Sequence, residues 1–176
     1  MNTCKLKLAG WLFVFSIFLI PQASEAYFTT DQTATRLTAN NILFTVTYSF
    51  GFAERDVLMP IFATRAESSD SDTLMGYEIQ DDKATTALGT SAGLVLTKHP
   101  AVAIEDGKYY RVPAGEAASF TLVTLMSVTD EELDSNPDLS LLVTHLPFTM
   151  IDEGVEIPAK LNPSELQYYH TPEIDL

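Results

Sequence analysis

Apolar and polar residues alternate most regularly between Ile42 and Phe50. The first set is Ile42, Phe44, Val46, Tyr48 and Phe50, and the second set is Leu43, Thr45, Thr47 and Ser49. A period of two with β-branched and aromatic residues is typical of a strand that buries one face. The segment is therefore predicted to be a half-buried strand that follows a turn at Asn40-Asn41.

Further apolar stretches predict strands along the rest of the chain. Residues 117–128 also alternate, which predicts a second long strand with one buried face. Residues 139–151 are apolar at both sets of positions, so we expect a central strand covered on both sides or bent at Pro147. Pro60 cannot donate to a ladder, so its strand should lie at a sheet edge or carry a bulge there. The remaining predicted strands are short: 57–64, 73–80 and 92–97.

Turn residues separate these stretches at intervals of about ten residues. Residues 101–112 predict a hairpin whose turn, Asp106-Gly107, suits two central residues with positive φ. Thr129 and Glu132 have the spacing of a capping box, which predicts a short helical turn. A second capped turn is predicted at 162–166.

The predicted elements define the fold class. About eight strands, one or two short helical turns and no crossover helix indicate an all-β antiparallel sandwich of immunoglobulin-like or related topology. The run YRVPAGEAASFTLVTL (110–125) resembles the proline-turn-glycine and long-strand pattern of secreted bacterial β-sandwich modules. That resemblance covers 16 residues and implies a fold, not a functional residue.

The N-terminus has the organisation of a secretory signal peptide. Lys5 and Lys7 precede an uncharged apolar run, Leu8–Ile20, which is too short to span a membrane comfortably. Ser24 and Ala26 are small residues at the positions that a signal peptidase requires. Cleavage after Ala26 is predicted, with a retained N-terminal anchor as the alternative.

The expected mature chain, 27–176, is one acidic domain with no stable membrane span. Lys5, Lys7 and Glu25 leave with the signal, so eight basic and 23 acidic residues remain, for a net charge of −15. Such a surface repels nucleic acid and anionic lipid, which bind through Lys and Arg. The single cysteine also leaves, and no glycosylation sequon is present, which favours bacterial or archaeal export to the periplasm, the cell surface or the medium.

The sequence predicts no catalytic or cofactor-binding residue. His99, His145 and His170 are not spaced as a pair of metal ligands on a helix, and His145 is interpreted as a structural histidine. No nucleophile elbow, phosphate loop or dinucleotide fingerprint is present. The adjacent tyrosines 109–110 and 168–169 each predict one buried and one outward ring, because neighbouring strand residues face opposite sides.

One candidate metal site is a calcium site at Asp70 and Asp72, with Glu67 nearby. Calcium prefers six to eight oxygen ligands, often from alternating positions of a loop. Asp70-Ser71-Asp72 supplies two carboxylates at that spacing, but the glycine and glutamate of an EF-hand do not follow. The alternative interpretation is a solvated polar loop.

Together these observations favour a secreted, non-enzymatic β-sandwich module with a structural, binding or surface-assembly role. The alternatives are an exported hydrolase and a small-ligand-binding periplasmic protein, because one fold supports many functions. A protein partner or self-assembly is compatible with the favoured role. The Thr-rich segment 27–37 is relevant here, because it could pair with its own sandwich or add to the edge of a neighbour.

Overall fold

The computed structural model describes residues 28–52, 54–65, 73–81, 88–99, 102–134, 138–161 and 163–175. These residues form twelve strands and one short helix. None of the helical structure among them is long and apolar enough to cross a membrane. In chain order the elements are β1 (Phe28–Arg36), β2 (Asn41–Phe50), β3 (Asp56–Pro60), β4 (Phe62–Arg65), β5 (Met75–Asp81), β6 (Thr90–Thr97), β7 (Ala103–Glu105), β8 (Tyr109–Val112), β9 (Ala118–Ser127), α1 (Asp130–Leu133), β10 (Asp138–Asp152), β11 (Val155–Leu161) and β12 (Ile174–Asp175).

The strands form one continuous sheet that doubles over at β10. The first layer has the order β1-β2-β9-β6-β4-β5-β10, and the second has the order β10-β3-β8-β7. β11 and β12 both pair with β10, which belongs to both layers. The predicted all-β sandwich is confirmed, with twelve strands in the described residues instead of about eight. The pairing of β4 with β5 is parallel, whereas the other ladders are antiparallel.

β2 and β9 lie side by side in the first layer, and each buries one face, as their alternating sequences predict. They pair antiparallel over their full lengths, from Asn41 opposite Ser127 to Phe50 opposite Ala118. The alternate residues that face inward are buried, including Tyr48 and Phe120, whose rings stack at 5.8 Å. Because the buried residues of β2 lie opposite the buried residues of β9, the outward residues of the two strands also lie side by side.

Aromatic side chains fill the space between the layers. Phe50 of the first layer contacts Phe148 of β10 with ring centroids 4.9 Å apart. Tyr110 of β8 packs against Phe120 at 5.7 Å, and its hydroxyl donates a hydrogen bond to the carbonyl oxygen of Val95 at 3.0 Å. This bond satisfies a polar group that would otherwise be costly to bury.

Two glycine-containing turns close hairpins. Asp106 and Gly107 have φ of 52° and 66°, and the N–H of Lys108 donates to the carbonyl oxygen of Glu105 at 3.1 Å, which confirms the predicted turn. A second turn at Glu153-Gly154, with φ of 49° and 83°, joins β10 to β11 and was not predicted. Both turns have the positive φ pair that matches the twist of the flanking strands.

The predicted capping box at the start of α1 is confirmed. The Thr129 side chain accepts from the N–H of Glu132, and the Glu132 carboxylate accepts from the N–H of Thr129 at 2.7 Å. The same carboxylate also accepts from the N–H of Gly89 at 2.8 Å, so it ties α1 to the start of β6. These backbone donors, with Thr129 contributing most, hold the pKa of Glu132 below its ordinary value.

The N-terminal strand pairs within its own chain. β1 runs antiparallel to β2 along the outer edge of the first layer. The side-chain amide of Gln32 donates to the carbonyl oxygen of Tyr168 at 3.2 Å, which connects this edge to the C-terminal segment. The segment 27–37 was expected either to pair with its own sandwich or to add to a neighbour, and residues 28–36 pair with their own sandwich.

The prolines within the described strands lie where a ladder has a neighbour on one side, and they are Pro60, Pro147 and Pro158. Pro60 pairs with Tyr109 of β8, whereas the pairing of β3 with β10 stops at Leu58. The register shift of β10 lies between Val143 and His145, before Pro147. This strand has neighbours on both edges, as expected of a central strand, but its residues up to Thr144 alternate between buried and half-buried. Its bulge, and not Pro147, coincides with the passage from one layer to the other.

Candidate functional site

The predicted calcium ligands, Asp70 and Asp72, and the nearby Glu67 lie outside the described residues. Calcium binding there stays a prediction. Within the described ranges, no three His, Cys, Asp or Glu residues are grouped to hold a metal ion.

A shallow cleft of about 440 Å³ lies beside β10 and the C-terminal segment. Its lining includes Ser140, His170 and Glu173, three residue types that could serve a hydrolase. However, His170 Nδ1 lies 3.2 Å from the carbonyl oxygen of Thr171, and no hydrogen bond joins His170 to Ser140 in this described region. The cleft therefore presents polar groups but no assembled nucleophile–base pair.

His145, which the sequence places in an apolar strand, packs against the backbone of β5. A Cβ atom added to Gly76 would overlap the His145 ring, so the ring occupies the space that a side chain at position 76 would need. The histidine is therefore held by close packing at the bulge of β10.

The two tyrosine pairs differ as the sequence predicts. Tyr169 is buried and Tyr168 is exposed, while Tyr110 is buried and Tyr109 is half-buried. Tyr168 stands apart from the other exposed apolar residues at the C-terminal segment, so it does not by itself define a surface. The sequence predicted one buried and one outward ring in each pair without assigning which tyrosine is which, and it did not locate the main exposed surface.

That main surface is the outward side of β1, β2, β9, β6 and β4, which are neighbours in this order in the first layer. We call it the neutral face. The sequences of β2, β6 and β9 contain no charged residue at all. One charged residue, Asp31, lies on the described part of this outward side. It belongs to the edge strand β1 and lies opposite Thr47 of β2. The rest of the outward side consists of threonine, serine, asparagine, alanine and larger apolar residues.

The centre of the neutral face is apolar and exposed to solvent. Phe62 of β4 lies directly opposite Leu94 of β6, and these side chains are 46% and 38% exposed. Leu125 of β9 is 45% exposed and lies opposite Leu43 on one side and Ala92 on the other. Adjacent exposed side chains of this kind form a patch, and such patches mark interaction sites more often than scattered apolar residues do.

Threonine hydroxyls beside the apolar centre bond to one another. The Oγ1 atoms of Thr33 and Thr45 are 2.7 Å apart across β1 and β2, and those of Thr47 and Thr121 are 3.0 Å apart across β2 and β9. Each pair satisfies a hydroxyl donor inside the face. Covering these residues therefore costs less than burying hydroxyls that depend on water.

The ionic contacts of the described residues lie on other parts of the molecule. Arg111 of β8 bonds to Asp56 at 2.8 Å and to Glu105 at 3.2 Å, which connects β8 with β3 and β7. The pKa of Asp56 lies below its ordinary value, mainly because its carboxylate accepts a hydrogen bond from the N–H of Ala114 and secondly because it accepts hydrogen bonds from Arg111. These ion pairs connect strands within the second layer, so their role is structural. In the described part of the chain, the neutral face has no such structural role on its outward side and is therefore the candidate functional surface.

Comparison with known proteins adds no further residue to this picture. No protein-family model matches this chain, and no curated protein is similar to it. The candidate site is therefore defined by the surface itself: a partly apolar sheet face on an acidic chain, with Asp31 at its edge.

Proposed function

We propose that the protein is an exported, non-enzymatic β-sandwich module that acts by binding a protein surface with its neutral face. The observation that carries this proposal is the exposed apolar centre formed by Phe62, Leu94 and Leu125 on a chain whose formal net charge is −14. Protein interfaces are depleted of charge at their centre and enriched in apolar and aromatic side chains.

Export is the part of this proposal that rests on the sequence. The charged start, the apolar run Leu8–Ile20 and the small residues before Tyr27 support a cleaved signal peptide. We therefore place the module in the periplasm, on the cell surface or in the medium. N-terminal sequencing of exported protein should begin at Tyr27, and recovery of Trp11 in the exported product would contradict cleavage.

Site-specific photo-crosslinking tests the binding role. A benzophenone amino acid replaces Leu94 on the neutral face, and the same amino acid replaces Ile104 on β7 as the matched control. Ile104 is 66% exposed and lies outside the neutral face. Illumination of the producing cells should give a defined adduct from position 94 and not from position 104. Equal labelling from the two positions, or no adduct from position 94, would refute a binding role for this face.

A further inference from the structure

We infer that the occupant of the neutral face is a second copy of this chain, packed face to face about a two-fold axis. This inference rests on the proposed function and names its partner. In such an arrangement the same patch is used by both copies, so the patch has to complement itself. A pairing that places one apolar centre on the other meets this condition.

The area of the neutral face is sufficient for a specific dimer. The five strands contain four to ten residues and about eight on average. At about 4.8 Å between strands and about 3.3 Å per residue, their mean dimensions are about 24 Å by 26 Å. Two such faces would bury about 1,200 Å² in total, which is the lower end of the range for stable interfaces. Sheets that pack face to face interdigitate their side chains in this way within β-sandwiches.

The charge distribution favours a second copy over a basic partner. Two copies of a strongly acidic chain repel each other, and a face whose central strands β2, β9 and β6 contain no charged residue is the surface where they can approach with the least repulsion. Asp31 lies on the outer edge strand, where it can stay in water when the centres meet. A basic partner would instead be attracted to acidic turns such as Asp130–Glu132, which lie outside the neutral face.

The chemistry of the face also suits sheet-to-sheet packing. In each of the pairs Thr33 with Thr45 and Thr47 with Thr121, one hydroxyl donor keeps its acceptor when water is removed. Leu125 projects from β9, which is paired along its length with β2 and β6, and Leu94 projects from β6, which pairs with β9 along its length and with β4 at Leu94 itself. Docking of these side chains therefore requires no new backbone hydrogen bonds. The interface is therefore expected to form by side-chain packing and not by strand addition.

Sedimentation equilibrium on the purified exported protein tests this inference. The wild-type protein should dimerise, and added sodium chloride should tighten the dimer because salt screens the repulsion between the acidic copies. Leu94→Glu should weaken dimerisation at least tenfold, since it introduces a charge at the centre of the interface. Ile104→Glu adds the same charge outside the face and should leave the dimer unchanged. Equal melting temperatures for the two variants in dilute solution would show that both are folded.

Several results would overturn the second-copy inference. A wild-type protein that stays monomeric, or a dimer weakened equally by Leu94→Glu and Ile104→Glu, would do so. The photo-crosslink from position 94 separates this failure from failure of the proposed function. An adduct with a different protein would exclude the second copy and leave the binding role intact. An adduct with residues 1–26 of the same chain would also exclude the second copy. The absence of any adduct would remove both proposals.

Discussion

The bridging carboxylate of Glu132 gives the most direct test of the tertiary structure. It accepts hydrogen bonds from the N–H of Thr129 at 2.7 Å, from the Thr129 hydroxyl at 3.0 Å and from the N–H of Gly89 at 2.8 Å. Glu132→Gln keeps the shape but is neutral and has one acceptor oxygen, so both backbone N–H groups lose a charged acceptor and one of them loses its acceptor altogether. The variant should therefore be less stable, because α1 and the start of β6 are no longer held by the same group.

The magnitude follows from the number and exposure of these bonds. A hydrogen bond to a charged group contributes about 1.5–3 kcal/mol, and partial exposure to solvent reduces this to about 1–2 kcal/mol for Glu132→Gln. With a urea dependence of about 2 kcal/mol per molar, the unfolding midpoint should fall by about 0.5–1 M. Glu131→Gln is the matched control, because it removes the same charge from the same turn and Glu131 makes no hydrogen bond to other described residues.

The pH dependence provides a second readout of the same contact. The backbone donors lower the pKa of Glu132 from its ordinary value of 4.5, so its stabilising effect is fully present above that value. The effect is lost as the pH falls through the lower pKa of the folded state. The difference in stability between wild type and Glu132→Gln should therefore shrink at acidic pH. Equal urea midpoints for Glu132→Gln and Glu131→Gln at neutral pH would refute this account.

Three other predictions concern local structure. Gly107→Val should lower the free energy of unfolding by about 1 kcal/mol or more, because φ is 66° there, although an added Cβ atom would meet no residue other than its chain neighbours within 4 Å. An unchanged urea midpoint would contradict this prediction. Gly76→Ala should destabilise the protein by displacing His145, and the His145 NMR signals should shift, whereas a stable variant with unshifted signals would exclude the close packing. If Asp70 and Asp72 bind calcium, calcium but not magnesium should raise the melting temperature, and calorimetry without heat at millimolar calcium would exclude the site.

The elements predicted well are those in which local pattern and tertiary environment agree. β2 and β9 alternate in sequence, and each buries the residues that its alternation assigns to the core. The turn at Asp106-Gly107 was also predictable, because its residues suit positive φ. β11 was missed because its mostly exposed residues carry little of the apolar pattern that identifies a strand.

The neutral face could not be predicted from any single strand. Outward threonines and leucines such as Thr45 and Leu94 are unremarkable within their own segments. Their meaning depends on the order of the strands, which brings β6 beside β9 and β4 beside β6 although they are distant in sequence. Strand order is set by long-range packing, and a local pattern carries no information on which strand will be the neighbour.

The position of β10 in both layers constrains when the domain can fold. β3, β8 and β7 are joined to the rest of the sheet through β10, although all three precede it in the chain. A nascent chain that ends before Asp138 therefore lacks the strand that brings the two halves together, and its inward aromatic residues cannot be enclosed. The complete sheet, with both layers joined through β10, can therefore form only after the strand that ends at Asp152 has been synthesised.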